Sequence, residues 1–323
     1  MMRARYVSAT FAGFGSILLW SSSVGLSRLV TEPLGPMTTG AVIYLLSGLL
    51  GCVVLLARSG TRRRLLSCSR RYMCGCGGLF VLYIVCLYAS IGLATGRTQV
   101  LEVGVINYLW PGLTLAFSVP LLGKRPRAAL PVGILMGFAG VALVLLPPDR
   151  LKPSLLWDNF RDNAWPYLLA MAAAVAWALY SNLLRRWTSQ SDGGGVPVFI
   201  LASGVVMAAL SAALREQPAW GAVALWPIIV IALGPALLAY VFWEAAMRWG
   251  QVTLLASAAY LIPLLSLCVS CVVLAVKPGP ALLGGTILVV GGAVLCNLSI
   301  RDRQPASEPS ATPSDAVPQH TEC

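Results

Sequence analysis

The stretch Val105-Ile106-Asn107-Tyr108-Leu109-Trp110-Pro111 lies in the middle of an apolar segment at 100–122. A proline within a membrane helix lacks an amide donor, so Pro111 leaves the carbonyl of Asn107 without its usual partner. An unpaired carbonyl in hydrocarbon costs on the order of a few kcal/mol. The stretch therefore predicts a bent helix that lines a cavity. The alternative is a packing kink whose carbonyl is satisfied by a neighbouring Ser or Thr.

The second half of the chain repeats this stretch at one constant spacing. Tyr260-Leu261-Ile262-Pro263 again stands at the centre of an apolar segment, where Pro263 would free the carbonyl of Ala259. Further pairs at the same spacing are Gln99 with Gln251, Tyr88 with Tyr240, Tyr108 with Tyr260, Pro126 with Pro278, Gly133 with Gly285 and Gly140 with Gly292. The sequence therefore contains an internal duplication.

The composition identifies an integral membrane protein. Of the 323 residues, 58% are hydrophobic and 11% are charged, whereas about a quarter of a soluble chain is charged. The net charge of +11 could indicate a nucleic-acid partner. The basic residues, however, stand in short loops between apolar runs rather than in a basic patch, so we expect no nucleic acid and interpret the charge as a topology signal.

Ten apolar segments are long enough to cross a bilayer, at about 20 residues each. Because five spans per repeat is an odd number, the two halves must enter the membrane in opposite directions. We therefore predict an all-α membrane protein with an N-terminal five-helix repeat at 1–150, an inverted C-terminal repeat at 151–300 and a disordered cytoplasmic tail at 301–323. The segments are 6–29, 36–57, 72–94, 100–122, 128–146, 165–187, 196–214, 222–247, 252–275 and 280–300.

The distribution of Lys and Arg predicts the orientation, since basic residues are enriched in cytoplasmic loops. With a cytoplasmic N-terminus, most of the basic residues fall inside, and both termini are cytoplasmic. The inside set is Arg3, Arg5, Arg58, Arg62, Arg63, Arg64, Arg70, Arg71, Lys124, Arg125, Arg127, Arg185, Arg186, Arg248, Arg301 and Arg303. The outside set is Arg28, Arg97, Arg150, Lys152, Arg161, Arg215 and Lys277.

Aromatic and polar side chains near the centres of the spans are the candidate substrate site. Tryptophan normally prefers the membrane interface, so a tryptophan at mid-span is unexpected. Aromatic walls suit a planar, partly apolar solute, although a packed core or lipid contact is the competing interpretation. The candidates are Trp20, Tyr44, Tyr83, Tyr88, Asn107, Trp110, Trp177, Tyr180, Tyr240, Trp243 and Tyr260.

Only two carboxylates, Glu102 and Glu244, fall inside or at the edge of spans, and both are candidates for binding a substrate amine or for proton coupling. Glu102 is expected near the outer interface. Glu244 precedes Arg248 by four residues, a spacing that allows an ion pair. The single histidine, His320, stands in the tail. We therefore expect no metal site, no cofactor and no catalytic triad, and so no enzyme.

Glycines mark one face of the fifth and tenth segments. Small residues allow helices to approach closely, so these faces predict helix packing either within one chain or between two copies in a homo-oligomer. The residues are Gly133, Gly137 and Gly140 in the fifth segment, and Gly284, Gly285, Gly291 and Gly292 in the tenth.

Three segments resemble the drug/metabolite transporter superfamily of the EamA type. They are Leu19-Trp20-Ser21 through Val24-Gly25-Leu26, Tyr44 through Leu50, and Glu102 through Pro111. The third is similar to the aromatic amino acid exporters of the bacterial inner membrane within that superfamily. The resemblance covers about 6–300.

This resemblance implies export of aromatic amino acids through a central cavity formed mainly by spans one, three, four, six, eight and nine. The expected mechanism is alternating access, with the two halves rocking about the helices of Pro111 and Pro263. A broader drug or metabolite exporter and a channel-like facilitator remain alternatives. A sugar-phosphate carrier would need Lys or Arg at the cavity centre. The sequence places neither residue there, which argues against such a carrier.

Overall fold

The computed structural model describes residues 2–57, 60, 65, 68–146, 153–188, 194–222, 225–273 and 280–301. Its helices are α1 (Met2–Leu34), α2 (Pro36–Ala57), a π-helical turn (Arg71–Cys76) that continues into α3 (Gly77–Gly92), α4 (Arg97–Asn107), α5 (Trp110–Leu122), α6 (Leu130–Leu145), α7 (Pro153–Asp162), α8 (Trp165–Trp187), α9 (Val196–Leu214), a 3-10 turn (Trp220–Ala222), α10 (Leu225–Leu233), a second π-helical turn (Gly234–Leu238) that continues into α11 (Ala239–Trp249), α12 (Val252–Ala258), α13 (Leu261–Val273) and α14 (Pro280–Ser299). The expected disordered tail lies outside the described residues, except for Arg301.

Six helices of the described ranges are long and apolar enough to cross a membrane. Two further apolar helices, Leu130–Leu145 and Gly284–Ser299, are shorter. The chain is therefore a multi-pass membrane protein that is helical almost throughout. The six are Pro36–Ala57, Arg71–Gly92, Thr98–Leu122, Trp165–Trp187, Val196–Leu214 and Leu225–Trp249.

Two short strands depart from the expected all-helical fold. β1 (Arg125–Pro126) pairs with β2 (Ile300–Arg301) in an antiparallel arrangement, with Arg125 opposite Arg301. The adjoining amide of Arg127 donates to the carbonyl of Ser299 at 2.8 Å. This pairing could not be predicted from the sequence, because two residues are too few to show strand periodicity.

Both proline-bearing segments are divided into two helices. α4 ends at Asn107 and α5 begins at Trp110, while α12 ends at Ala258 and α13 begins at Leu261. Each proline therefore stands in the first turn of a new helix, where its missing amide would have had no helical partner in any case.

Tight backbone turns bridge the two breaks. The amide of Leu109 donates to the carbonyl of Ile106 at 3.0 Å, and the amide of Ile262 donates to the carbonyl of Ala259 at 3.1 Å. We expected the Ala259 carbonyl to need a donor from water, a side chain or a ligand. That expectation is wrong, because the 3-10 hydrogen bond from Ile262 satisfies the carbonyl within the chain.

The glycine faces of α6 and α14 pack against each other within one chain. A side-chain carbon at Gly292 would lie 2.4 Å from the backbone nitrogen of Gly137, and one at Gly140 would lie 2.7 Å from that of Val289. Such distances are far below van der Waals contact, so only glycine allows this approach. Of the two arrangements left open by the sequence, packing within the chain is the one observed.

The bundle of described helices has two ends with different contacts. The N-terminal end is the one at which α1 begins. At the N-terminal end, the Arg5 guanidinium lies 3.7 Å from the centre of the Trp249 ring, and Arg185 donates to the Gly250 carbonyl at 2.8 Å. At the opposite end, Glu216 accepts hydrogen bonds from the amides of Met37 at 3.1 Å and Thr38 at 2.7 Å. This carboxylate therefore caps the start of α2 from the far half of the chain.

Candidate functional site

A cavity of about 210 Å³ lies among the helices. Its wall comes from both halves of the chain, with α1 to α5 on one side and α8, α10, the second π-helical turn, α11 and α13 on the other. The lining residues are Trp20, Ser23, Ser27, Ile43, Tyr44, Tyr83, Leu87, Tyr88, Asn107, Tyr108, Trp110, Trp177, Ile231, Pro235, Ala236, Tyr240 and Ile262. None of these residues carries a formal charge.

Eight of the eleven candidate substrate-binding residues stand on this wall. They come from seven different helices, so the fold gathers side chains that are remote in sequence. Each was selected because it lies near the centre of an apolar segment. The eight are Trp20, Tyr44, Tyr83, Tyr88, Asn107, Trp110, Trp177 and Tyr240.

The aromatic rings of the wall contact one another edge to face. Trp20 and Trp177 have their ring centres 5.8 Å apart at 78°, and Trp110 meets Trp177 at 6.2 Å and 86°. Tyr83 packs against Trp177 at 4.6 Å. Trp177 therefore contacts aromatic rings from α1, α3 and α5 and stands at the centre of the aromatic wall.

Several polar groups of the wall are paired within the protein. The hydroxyls of Tyr44 and Tyr240 lie 3.2 Å apart in a hydrogen bond between the two halves of the chain. The indole nitrogen of Trp20 donates to the Pro235 carbonyl at 3.2 Å, and Ser23 donates to the Trp20 carbonyl at 2.8 Å. In the described part of the chain, Oδ1 of Asn107 is buried and has no hydrogen-bond partner.

Tyr180, Trp243 and Tyr260 are not on the cavity wall. Tyr180 and Trp243 lie behind it: Tyr180 packs on Trp177 at 5.0 Å, and the indole of Trp243 donates to Ser181 at 3.1 Å. Tyr260 fills the space beside Gly112. A central position in a span fixes the depth of a side chain but not the direction in which it points, so these three could not be separated from the eight by sequence.

Several wall residues were missed by the sequence analysis. Tyr108 lies within the opening stretch but was not selected, because an unbroken helix would place Asn107, Trp110 and Pro111 on one face and leave Tyr108 off it. The break between α4 and α5 brings Tyr108 to the wall. Pro111 and Pro263 are buried beside the wall, at the starts of α5 and α13.

Glu244 lies outside the cavity, in a buried cluster at the N-terminal end. Its carboxylate accepts hydrogen bonds from the Tyr72 hydroxyl at 2.6 Å and from the Gly194 amide at 3.2 Å. The Gly195 amide donates to the Tyr72 hydroxyl at 2.9 Å. Arg248 lies 3.9 Å from the same carboxylate, at the spacing that the sequence suggested. We call these five residues the Tyr72–Glu244 cluster.

Glu102 also lies outside the cavity, near the opposite end of the protein. It is 2% exposed and accepts hydrogen bonds from the Asn159 amide at 2.9 Å and from the Tyr167 hydroxyl. Asn159 belongs to α7, a short helix within the connection at 147–164. Glu102 therefore joins α4 to α7 and α8 and does not contact the cavity.

The arrangement of helices and cavity agrees with the sequence relationships of the chain. The sequence model of the EamA-like transporter family matches two stretches, residues 7–146 and 164–298. The chain belongs to the EamA-like transporter family. Together the two matches cover both groups of helices that form the cavity.

Members of the family with assigned names extend this result. The chain is 34% identical over 298 residues to the aromatic amino acid exporter YddG of Salmonella typhimurium, covering 91% of this chain and 98% of that protein. It is 32% identical to the exporters of the same name from Escherichia coli and Ancylobacter novellus, each over 296 residues. The family and these relatives are transporters rather than enzymes.

The fold also matches a solved crystal structure. That structure superimposes with a TM-score of 0.74 at 30% sequence identity and covers 90% of this chain and 97% of its own. The similarity therefore extends over nearly the whole of both chains and is not limited to a few helices.

Proposed function

We propose that this chain is a secondary transporter that exports aromatic amino acids and related small metabolites from the cytoplasm. The observation that carries the proposal is the cavity, whose wall places Trp20, Trp110 and Trp177 together with tyrosines inside the membrane region. Such a wall binds planar, partly apolar solutes through stacking and edge contacts. The names of the exporter relatives support the same substrate class.

The proposed architecture is ten membrane spans in two inverted repeats, at 1–150 and 151–300. The two separate family matches support it. So do the breaks before Pro111 and Pro263, which fall at corresponding positions of the two halves. In this arrangement α1 and the pair α12 and α13 also span the bilayer, α12 and α13 together forming one interrupted span.

The proposed location is the bacterial inner membrane, with both termini in the cytoplasm. Basic residues at the N-terminal end support this orientation. Arg5, Arg70, Arg71, Lys124, Arg125, Arg127, Arg185, Arg186, Arg248 and Arg301 lie at that end, while Asp158, Asp162 and Glu216 lie at the opposite end.

The position of the cavity supports alternating access. Its lining residues Ser27, Leu87 and Tyr88 lie in the halves of α1 and α3 that are nearer the opposite end. Between the cavity and the N-terminal end, Phe80, Tyr180 and Trp243 are almost completely buried. Entry of a substrate from the N-terminal end therefore requires a second conformation in which this packing opens.

The Tyr72–Glu244 cluster closes the N-terminal end. Tyr72 belongs to the first half of the chain, whereas Glu244, Gly194 and Gly195 belong to the second. Rocking of the halves about the helices of Pro111 and Pro263 would separate them. At the opposite end, Glu102 and Glu216 make the corresponding contacts between the halves. In this conformation Glu244 therefore joins the two halves at the N-terminal end, and Glu102 joins them at the opposite end.

Uptake into proteoliposomes tests this function. Labelled tryptophan, threonine and a quaternary ammonium drug are compared, with and without a proton gradient. We expect saturable uptake of tryptophan and much slower uptake of threonine. Equal transport of all three would identify a broader drug and metabolite exporter, and flux that does not saturate would identify a channel-like facilitator.

A further inference from the structure

Among the described residues of the cavity wall, Asn107 carries a buried polar atom that has no hydrogen-bond partner. It is the last residue of α4, next to the break, and 9% of its surface is exposed. Within the described residues its Oδ1 accepts no hydrogen bond.

A buried acceptor without a donor is unfavourable compared with an apolar side chain of the same size. Leucine has the same branching and the same number of side-chain heavy atoms as asparagine and would carry no such cost. Retention of an unpaired oxygen at a cavity wall is therefore explained if the donor comes from the bound molecule. The neighbouring polar groups of Trp20, Tyr44 and Tyr240 already have partners within the protein.

Asn182 provides an internal comparison. It is fully buried, and its Oδ1 also has no partner among the described residues. Its amide nitrogen, however, donates to the Thr114 carbonyl at 3.0 Å and to the Ala178 carbonyl at 2.9 Å, and it does not line the cavity. Helix-to-helix hydrogen bonds therefore account for Asn182, whereas they do not account for Asn107.

We propose that the Asn107 amide turns to bring Oδ1, which is buried in this conformation, to the cavity, where it accepts a hydrogen bond from the primary ammonium group of the substrate. This inference rests on the proposed function and assigns one atom of the site to one group of an amino acid. An amide oxygen is only an acceptor, so it binds an ammonium group and repels a carboxylate. Trp110 and Trp177 line the same cavity, and an indole face in contact with the substrate would favour a cation further.

Competition by two substrate analogues tests the assignment. Phenethylamine keeps the ring and the ammonium group, whereas 3-phenylpropionate keeps the ring and the carboxylate. Each competes with labelled phenylalanine for the purified protein. In the Asn107→Leu variant, phenethylamine should bind at least about tenfold more weakly, equivalent to about 1.4 kcal/mol, while 3-phenylpropionate should bind as before.

Asn182→Leu is the matched control. This variant also replaces a buried asparagine, but Asn182 lies off the cavity wall. The substitution should therefore change the binding of both analogues to the same extent. The opposite selectivity in Asn107→Leu, with only 3-phenylpropionate weakened, would overturn the proposal in favour of an amide that donates to a carboxylate. Equal weakening of both analogues would overturn it in favour of a packing role.

Asn107→Asp gives a second test that does not depend on the folding of the leucine variant. It keeps an oxygen acceptor at the same position and adds a negative charge. Phenethylamine should bind as well as or better than in the unmodified protein, and weaker binding would contradict the proposal. If the unmodified protein binds neither phenylalanine nor its analogues, the proposed function fails, which is a different result from loss of amine selectivity.

Discussion

The hydroxyl of Tyr72 donates a 2.6 Å hydrogen bond to the carboxylate of Glu244. The two side chains come from different halves of the chain, and both are almost completely buried at the N-terminal end. The Gly194 and Gly195 amides just before α9 complete the cluster. A carboxylate near the start of a helix is also favoured by the helix dipole. The cluster therefore stabilises the conformation in which the N-terminal end is closed.

Tyr72→Phe should favour opening of the N-terminal end. A hydrogen bond to a carboxylate contributes about 1.5–3 kcal/mol, so its loss should raise the open population about 10- to 100-fold. Cys76 reports on opening because it is fully buried in the adjoining π-helical turn. In a chain whose other cysteines are replaced by serine, a maleimide should label Cys76 correspondingly faster.

Tyr167→Phe is the control for that measurement. Tyr167 also donates to a buried glutamate, Glu102, but at the opposite end. Its loss should leave the labelling of Cys76 unchanged or slower. If the two variants label at the same rate, the Tyr72–Glu244 cluster does not hold the N-terminal end closed.

Glu216→Ala should destabilise the start of α2. Glu216 accepts hydrogen bonds from the Met37 amide, the Thr38 amide and the Thr38 hydroxyl, the last at 2.7 Å. Capping and charge-assisted hydrogen bonds of this kind suggest a loss of about 1–3 kcal/mol in the free energy of unfolding. Unfolding of the purified protein measures this loss. The control Gln217→Ala changes the exposed neighbouring residue and should change the free energy of unfolding little.

Gly285→Ala should disrupt the contact between α6 and α14. The added carbon would lie 2.5 Å from Val144 Cγ2 and 3.0 Å from the Gly140 carbonyl oxygen. Overpacking of this kind costs about 1–3 kcal/mol. Gly284→Ala changes the adjacent residue, where the nearest atom is 3.5 Å away. The prediction fails if both variants unfold at the same denaturant concentration.

Much of this site could be predicted from sequence, for identifiable reasons. Trp20, Trp110 and Trp177 were selected because tryptophan at mid-span is unusual, and all three line the cavity. Pro111 and Pro263 indicated irregular helices, and both segments are divided just before the proline. These features are local, so that spacing and residue type are enough to find them.

The remaining features depend on contacts between distant parts of the chain. The partner of Glu244 is Tyr72, which lies in the other half, and the partner of Glu102 is Asn159 in a helix that the sequence did not suggest. Tyr108 reaches the wall only because the helix breaks beside it. Tertiary packing decides such directions, and neither residue type nor spacing within one segment reveals them.

Counterflow in proteoliposomes is the most direct test of an aromatic cavity that works by alternating access. Vesicles loaded with unlabelled phenylalanine should accumulate labelled phenylalanine transiently above its equilibrium level. Trp110→Ala removes a central ring of the wall and should raise the half-saturating concentration at least about tenfold. The control Trp157→Ala changes the exposed tryptophan of α7 and should leave the half-saturating concentration unchanged. Flux without counterflow, or unchanged transport by Trp110→Ala, would contradict the account.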